Sequence, residues 1–493
     1  MKNVVAMLMC IGAAVLFGSP LSMASEQYSK SDKRTKYLLL DSRIIENVQN
    51  AKLTLGEIKK HPANPLFGED KPWEPRFDNV YANVIYDEED SLYKCWYSPF
   101  IVDERTTSTY ENRRHPFYTA YLEKRPNGRE TGICYATSKD GIKWDKPELG
   151  LVKFEGNKNN NILIRGSHGA AIFKDIHESD PAKRYKMIFK GDGEDTGMAV
   201  SFSADGLRWS EPIECPEIEA HGDTHNVAFW APDMGKYVVF TRINAEDNTR
   251  QVARTESKDF LDWTKAEVIL KGDDPLKQTH DLVVFPTGGI YIGLLGVMEF
   301  LDRSNYNVKQ HIELAWSPDT ETWYRIEEGK PFIANSHAEK EHYGYTPYDW
   351  GTAFASAPIF LEDETRIYYG AGDWYYMDWR KGYLALATLR PDGWAGYEQI
   401  STDTPAIITT KTISGDLASL SITAEVQNGG SVIVSIVDEY GNTLAHSEPV
   451  NNTVTSDSIK WQADVKGLTS MSDGKARLKF TLANAKLYAF ETK

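Results

Sequence analysis

Acidic and imidazole side chains stand directly before five short runs of β-type residues that are spread along the chain. Ionisable groups that converge on one site shift each other's pKa, which can keep one carboxyl protonated beside an ionised one. Cleavage of a glycosidic bond requires such a pair, one group acting as acid and the other as base or nucleophile. The five positions are Asp78, Ser167-His168, Asp223 with His225, His280 with Asp281, and Asp349.

Four carboxyl groups are candidates for the chemical step. Asp78 is the first choice for base or nucleophile, and Asp223, in the segment Gly222–Asn226, is the second. Asp281 is expected to orient or tune the other carboxylates. Glu299 ends an apolar run, which makes it the candidate for general acid.

Three histidines among these positions allow two interpretations. His168, His225 and His280 could hydrogen-bond sugar hydroxyls, or they could gather at one centre and hold a divalent metal. The sequence has no local HxH or HExxH spacing, so we expect no cofactor and keep the metal as the alternative. Apolar sugar faces stack on aromatic rings. The other residues expected to contact substrate are Arg76, Trp230, Asp349, Trp350 and Trp374.

A recurring phrase of the form Ser-x-Asp-Gly-x-x-Trp indicates how these residues are positioned. Its copies lie roughly 55 to 75 residues apart, close to the spacing of propeller blades. Each copy follows a β-type run, the Asp-Gly pair turns the chain tightly, and the Trp begins another strand. The phrase therefore predicts a hairpin between the outer strands of a blade, and five copies predict five blades. The copies are Ser138–Trp144, Ser203–Trp209, Ser257–Trp263, Ser317–Trp323 and Arg390–Trp394.

The patterns divide the chain into three segments. Residues 1–24 combine Lys2, an apolar run and Ser22-Met23-Ala24, as in a secretory signal peptide. Residues 25–400 contain the repeats and are predicted to form a propeller, whose first strands all begin around a central funnel. Period-two alternation between turns predicts a β-sandwich over residues 401–493. The predicted fold class is all-β, a five-bladed β-propeller followed by a C-terminal β-sandwich.

The charge and the cysteine content of the chain narrow the classes of binding partner and the cellular compartment. The chain has 71 acidic and 55 basic residues without a basic cluster, which argues against nucleic acid or an anionic membrane as partner. The apolar run at residues 4–17 is too short to span a membrane comfortably, and the sequence has no second one. Cys95, Cys134 and Cys215 form no CxxC pattern and are expected to be buried free thiols. We expect a periplasmic or secreted protein that acts on an oligosaccharide or polysaccharide.

The strand-and-turn repeat, with an acid before the first blade, resembles the five-bladed propeller glycoside hydrolases of the clans that contain families 32 and 43. Those families place a catalytic Asp at the start of blade one, which Asp78 matches. Their blade-two Asp is replaced here by Ser167-His168-Gly169, and their blade-three Glu by Asp223. The resemblance implies an exo-acting glycosidase that trims a plant, algal or host glycan. The alternatives are a non-catalytic glycan-binding propeller and a metal-dependent polysaccharide lyase.

Overall fold

The computed structural model describes residues 34–103, 129–191, 197–302, 307–342, 344–377, 380–465 and 475–492. The predicted signal peptide over residues 1–24 and the side chain of Asp78 lie outside this description. Within it, strands dominate and confirm the predicted all-β class. The described helical segments are short 3-10 turns at Ser42–Ile44, Pro181–Lys183, Pro216–Ile218 and Leu417–Ser419.

Five strands precede the repeating part of the chain, and they serve two different sheets. The first three pair with strands near the C-terminal end, whereas the other two pair with a strand late in the repeats. They are β1 (Lys36–Leu38), β2 (Ile45–Gln49), β3 (Ala51–Leu55), β4 (Lys59–Lys60) and β5 (Phe67–Gly68).

Four antiparallel units of four strands follow in chain order, each strand hydrogen-bonded to the next. Unit one comprises β6 (Arg76–Asp87), β7 (Leu92–Asp103), β8 (Arg129–Ser138) and β9 (Ile162–Arg165). Unit two comprises β10 (Ser167–Lys174), β11 (Tyr185–Gly191), β12 (Met198–Ser203) and β13 (Ile213–Glu214). Unit three comprises β14 (Val227–Ala231), β15 (Lys236–Asn244), β16 (Arg250–Ser257) and β17 (Glu267–Lys271). Unit four comprises β18 (Lys277–Thr287), β19 (Ile290–Phe300), β20 (Val308–Ser317) and β21 (Tyr324–Arg325).

The fifth unit is completed by strands from the beginning of the chain. Its own strands are β22 (Thr352–Ala355), β23 (Ile359–Phe360), β24 (Thr365–Gly372) and β25 (Gly382–Leu389). The outer edge of β25 is covered by β4 and β5. The first strands contact one another in turn: β6 contacts β10 and β22, and β14 contacts β10 and β18. β22 contacts unit four through β20, its third strand. The units therefore lie around a common centre, as in a propeller, and the count of five blades stays a prediction.

The repeated phrase forms a turn after the third strand of units one to four. Ser138 Oγ accepts a hydrogen bond from the backbone N–H of Gly141 at 2.8 Å. Asp140 Oδ1 accepts from the backbone N–H groups of Ile142 and Lys143, both at 2.8 Å. The same contacts recur in the copies that begin at Ser203, Ser257 and Ser317. In these copies the predicted outer hairpin is present.

The C-terminal strands form a separate hydrogen-bonded network around their own core. They are β26 (Ala395–Gln399), β27 (Ala406–Thr410), β28 (Ile413–Ser414), β29 (Ser421–Val437), β30 (Thr443–His446), β31 (Val454–Ser458) and β32 (Lys475–Glu491). β32 pairs with β26–β29 and with β1, and β29 also pairs with β30 and β31. Leu39 packs in this core, whereas Leu38 and Leu40 pack in the core of the propeller. Because successive side chains of Leu38–Leu40 enter the two cores alternately, this segment joins the propeller to the C-terminal strands.

Two features of this network differ from a simple division at residue 400. β1–β3 lie within the predicted segment 25–400 but share a sheet with strands of the predicted segment 401–493. The domain limits 25–400 and 401–493 stay a prediction. The fifth phrase, Arg390–Trp394, leads into β26, which pairs with β3 and β32. The predicted blade hairpin is wrong for this copy, because β4 and β5 already occupy the outer edge of unit five.

Candidate functional site

The segments that lead into the first strands meet at one end of the ring. Asn226 Nδ2 donates to the carbonyl oxygen of Gly169 at 2.7 Å, and Thr224 Oγ1 donates to that of His280 at 3.0 Å. Gly169 has a φ of +59°, and a Cβ there would lie 1.8 Å from the carbonyl oxygen of Thr224, so glycine is required. These contacts bring the starts of units two, three and four together.

The carboxylate of Asp223 is held from two sides. Its Oδ1 lies 3.0 Å from His168 Nε2, and its Oδ2 accepts a hydrogen bond from Arg242 Nη2 at 3.0 Å. The Asp223 side chain is 47% exposed, whereas Arg242 is buried. Loss of hydration favours the protonated form, but the His168 hydrogen bond and the Arg242 charge outweigh it and hold the pKa of Asp223 well below its usual range. The funnel therefore presents an ionised carboxylate to solvent.

Arg242 links this carboxylate to a buried histidine of unit four. Arg242 Nη1 lies 3.3 Å from His280 Nε2, and the same Nε2 lies 3.1 Å from the hydroxyl oxygen of Tyr376. Tyr376 belongs to the segment between β24 and β25, so the contact extends from unit three to unit five.

The other side of the His280 ring faces a buried carboxyl. His280 Nδ1 lies 2.9 Å from Asp281 Oδ1, which also accepts from Gln310 Nε2 at 2.9 Å. Burial, with the charges of Arg242 and Arg250, holds the pKa of His280 well below its ordinary value, so the ring is neutral. Burial raises the pKa of Asp281 to about 7, against the Gln310 hydrogen bond. Asp281 is fixed as the partner of His280 and is itself shielded from solvent.

Units five and one complete the circle of polar contacts. Arg380 donates from Nη1 to the carbonyl oxygen of Tyr376 and from Nη2 to Asn79 Oδ1. Asn79 Nδ2 donates to the Tyr81 hydroxyl at 2.6 Å, and the Tyr81 ring lies edge-on to His168 with centroids 5.5 Å apart. We name this set the funnel ring; it consists of Asn79, Tyr81, His168, Asp223, Arg242, His280, Tyr376 and Arg380.

The backbone that carries Tyr81 is strained. Val80 and Tyr81 have φ values of 64° and 41°, in the left-handed region that non-glycine residues rarely occupy. The register between β6 and β7 shifts on both sides of Val80. Such strain is retained where the surrounding structure requires it, often at functional sites.

Two buried aromatic rings pack beside Tyr81. His225 stacks on it with centroids 5.3 Å apart, and Phe354 meets both Tyr81 and His280 edge-on at 5.5 and 5.6 Å. Burial lowers the pKa of His225 to about 4, so this ring is neutral. Phe354 thus lies between opposite members of the funnel ring.

A pair of carboxyl groups at the junction of units five and one was missed by the sequence analysis. Glu69 Oε1 accepts from the backbone N–H groups of Phe77 and Gly382 at 2.7 and 3.1 Å. Asp373 Oδ1 accepts from the backbone N–H of Lys381 at 2.8 Å. Burial, with a contribution from Asp373, raises the pKa of Glu69 to about 8, and burial raises that of Asp373 to about 6. Glu69 is protonated near neutral pH, as a general acid must be.

Two predicted acids have partners outside the funnel ring. Glu299 is partly exposed, and its Oε1 lies 3.7 Å from Lys277 Nζ. Asp349 is buried; its Oδ2 lies 2.6 Å from Lys60 Nζ and accepts from the Tyr369 hydroxyl at 3.0 Å. Because Lys60 belongs to β4, Asp349 holds the N-terminal strand to unit five. The structure therefore places Asp349 in an ion pair, and its expected contact with substrate stays a prediction.

The predicted tryptophans separate into two groups. Trp230 packs on Tyr237 at 4.8 Å and on His177 at 6.0 Å. His177 follows the far end of β10 from His168, so Trp230 packs near that end of unit two, and its expected contact with substrate stays a prediction. Trp350 and Trp374 instead stack on each other at 4.9 Å in the segments that flank β22 and β24.

Arg76 and Asp78 both lie in β6, next to the Glu69 carboxyl. Arg76 is buried, its guanidinium is 5.5 Å from the Phe100 ring, and its charge opposes the rise in the pKa of Glu69. The backbone of Asp78 lies between Phe77, which donates to Glu69, and Asn79 of the funnel ring.

The side chains that could bind a metal ion are dispersed over the described residues. Among them, no three His, Cys, Asp or Glu side chains are grouped as a metal ion would require. In the same part of the chain, no helix is long and apolar enough to cross a membrane. The predicted free, buried state of Cys95, Cys134 and Cys215 is confirmed.

Comparison with known proteins gives likeness in structure at low sequence identity. No family model and no curated protein matches the chain. A glycosyl hydrolase from Bacteroides ovatus is 14% identical, with 68% of this chain and 94% of that one covered and a TM-score of 0.44. A fructofuranosidase from Schwanniomyces occidentalis complexed with fructosylnystose is 10% identical, with coverage of 87% and 98% and a TM-score of 0.43. An N-acetylgalactosamine deacetylase from F. plautii is 14% identical, with coverage of 68% and 95% and a TM-score of 0.42. The activity of this chain is therefore argued from its own site.

Proposed function

We propose that this chain is a glycan-acting hydrolase whose reaction takes place at the funnel ring. The observation that carries the proposal is the half-exposed, ionised carboxylate of Asp223, fixed by His168 on one side and Arg242 on the other. Preorganised charge of this kind at a concave site is what acid–base and nucleophilic catalysis use. The neighbouring hydroxyl, imidazole and guanidinium groups supply partners for sugar hydroxyls.

Asp223 takes the role of base or nucleophile, because it is ionised and open to solvent. Glu69 takes the role of proton donor, because it holds its proton near neutral pH. Asp78 is the second carboxylate of the reaction, on the strand that Glu69 contacts. Asp281 acts through His280, which it holds in one tautomer.

The arrangement favours exo-action on the end of a glycan chain. Phe354 packs inside the funnel ring against Tyr81 and His280, so the interior is filled rather than open. A funnel that is filled at its centre accepts a chain end better than an internal stretch. A plant, algal or host glycan, met outside the cytoplasm, remains the proposed substrate.

Purified protein tested on a panel of oligosaccharides checks this proposal. Asp223→Asn, Asp78→Asn and Glu69→Gln should each lower kcat/KM by about 100-fold or more, the usual effect of losing an acid–base group. The matched controls are Asp363→Asn and Glu362→Gln, in an exposed loop between β23 and β24, which should keep full activity. Full activity of Asp223→Asn would refute the role given to this carboxylate.

A second candidate function is glycan binding without turnover, and one contact favours it. Asp223 is paired with Arg242, and such a pair can serve structure or ligand binding without chemistry. In that case oligosaccharides would bind with measurable affinity, no product would form, and Glu69→Gln would leave binding unchanged.

A further inference from the structure

The tryptophan that ends the repeated turn has a different hydrogen-bonding environment in unit two. In units one and four, Nε1 of Trp144 and of Trp323 donates to the carbonyl oxygen three residues earlier, at 3.2 and 3.1 Å. In unit two the corresponding carbonyl oxygen, that of Gly206, accepts from Trp96 Nε1 of unit one at 2.8 Å. Trp209 Nε1 is buried without a hydrogen-bond partner among the described residues. A buried donor in this state gains free energy when an acceptor reaches it.

The ring of Trp209 also differs from those of the other copies. Trp209 pairs with no other aromatic ring in the described part of the chain, and it lines a surface cleft. Trp263 Nε1 lacks a partner too, but that ring is only 6% exposed and lies 5.1 Å from the ring of Phe260. The nearest aromatic centroids lie between 5.1 and 5.8 Å from the rings of Trp144, Trp263, Trp323 and Trp394.

The cleft has a volume of about 340 Å³ and lies between the last strand of unit one, β9, and the outer turn of unit two. This volume is at the small end of the range for ligand sites, which is about 300–1,000 Å³. Leu207 and Phe189 line it beside Trp209, and Arg165 and Arg208 supply its charged groups. No carboxylate side chain of the described residues lines it. The cleft therefore combines an apolar surface with hydrogen-bond donors.

Arg208 has donors to spare. Its side chain is 72% exposed, and among the described residues it makes one hydrogen bond, from Nη1 to Asp205 Oδ2 at 3.0 Å. Such an exposed pair is held weakly, so the guanidinium can donate to a ligand. Arg165 is held more firmly, because it donates from Nε and from Nη2 to the carboxylate of Glu130 and from Nη1 to a backbone carbonyl. A sugar matches this lining, since its apolar face packs on an aromatic ring and its oxygens accept from guanidinium groups.

We infer that Trp209 and Arg208 form a second binding site for a sugar residue of a glycan chain, outside the funnel ring. The inference rests on the proposed glycan-acting function and adds a site to it. No member of the funnel ring lines the cleft, but Gly166 does, and it precedes His168 by two residues. A glycan bound at the cleft and in the funnel dissociates more slowly than one bound in the funnel alone.

Affinity electrophoresis of the full chain tests the inference without turnover. Native gels contain soluble arabinan, arabinoxylan, pectin, laminarin or mucin glycans, and at least one of these should retard the wild type. Trp209→Ala should weaken the apparent affinity about 10-fold or more, the usual effect of truncating a tryptophan at the centre of a binding site. Arg208→Ala, at an exposed position, should weaken it about two- to tenfold, as expected for one hydrogen bond.

The matched control is Trp323→Ala, at the same position of the turn in unit four. The indole of Trp323 already donates within its own turn, so this variant should keep the wild-type affinity. The melting temperature of each variant shows whether it is folded. In Arg208→Ala, kcat/KM for a hydrolysed disaccharide should equal that of the wild type, because the cleft lies outside the funnel ring.

The outcomes separate this inference from the proposed function. Retardation that is unchanged in both Trp209→Ala and Arg208→Ala, an equal loss in Trp323→Ala, or no retardation of the wild type by any probe would overturn the second site. Hydrolysis of oligosaccharides with any of these results would leave the proposed function standing. Retardation that depends on Trp209 and Arg208, without hydrolysis of any glycan, would support the second site and overturn the hydrolase.

Discussion

Arg242 Nη2 lies 3.0 Å from Asp223 Oδ2, while Nη1 of the same guanidinium lies 3.3 Å from His280 Nε2. One buried side chain of β15 thus controls both the exposed carboxylate of unit three and the buried histidine of unit four. Against burial, the His168 hydrogen bond and the Arg242 charge lower the pKa of Asp223, whereas burial and the Arg242 charge lower the pKa of His280.

Removing the Arg242 charge should raise the pKa of Asp223. In Arg242→Gln the acid limb of the pH profile of kcat/KM should move to higher pH by about one unit or more, since an ion pair typically shifts a carboxyl by 1–3 units. Arg242→Lys should shift it less. The measurement is the profile between pH 3 and pH 8, with the melting temperature of each variant as the control for folding. An unchanged acid limb would exclude Asp223 as the group that must be ionised.

Stability should fall as the pH rises towards 8. Burial raises the pKa of Glu69 to about 8 and that of Asp281 to about 7, whereas in the unfolded chain both titrate near pH 4. Between about pH 4 and pH 8 the folded chain therefore binds more protons than the unfolded chain, and the free energy of unfolding decreases as pH increases. Denaturant titrations across this range should show that the free energy of unfolding of Glu69→Gln falls less steeply with pH than that of the wild type. An equally steep fall in the variant would contradict the raised pKa of Glu69.

The close approach at Gly169 should tolerate no side chain. Gly169→Ala combines a φ of +59° with a Cβ placed 1.8 Å from the carbonyl oxygen of Thr224. We expect it to cost about 3 kcal/mol or more of the free energy of unfolding and to disturb the His168–Asp223 contact. The matched control, Gly150→Ala, has a φ of +69° but nothing within 4 Å, and should cost only the left-handed strain of about 1 kcal/mol. Equal losses in the two variants would show that the carbonyl contact has no effect.

Asp349 should matter for stability and not for catalysis. Asp349→Asn leaves Lys60 without its buried partner, and we expect it to cost about 2 kcal/mol, less than a fully buried pair because Lys60 is partly exposed. The activity of the folded fraction should equal that of the wild type. A large fall in kcat/KM at unchanged stability would instead support the predicted contact of Asp349 with substrate.

Chelation should leave activity unchanged. We expect hydrolysis to persist after dialysis against EDTA, because the proposed reaction uses carboxyl groups alone. The control is the same protein with added Ca²⁺, Zn²⁺ or Mn²⁺. Loss of activity on chelation and release of unsaturated products would instead support the lyase alternative.

Much of the architecture was predictable because its signals are local. The Ser-x-Asp turn organises its own backbone, as the contacts of Ser138 and Asp140 show, so its copies could be counted in the sequence. The convergence of His168, Asp223 and His280 followed from their shared position before first strands. The strands of residues 36–55 were placed less well, because their partners lie more than 300 residues away.

Other members of the site have no local signal. Glu69 is held by backbone amides at positions 77 and 382, so only the closed ring reveals its environment. Arg242 lies in β15, a strand with alternating apolar residues. This pattern predicts a buried strand but does not indicate that Arg242 contacts other charged groups. Tyr376 falls in an aromatic-rich loop. Its contact with His280 depends on how units four and five pack together, which the spacing of residues in the sequence does not predict.

The joining of β4 and β5 to β25 has a consequence for how the protein is made. Residues 59–68 are synthesised before residues 382–389 and cannot pair with β25 until those residues are made. Until then unit five lacks its outer edge, and Asn79 cannot meet Arg380. Nascent chains should therefore remain inactive, and open to proteases and chaperones, until residues 382–389 have been synthesised and have paired with β4 and β5.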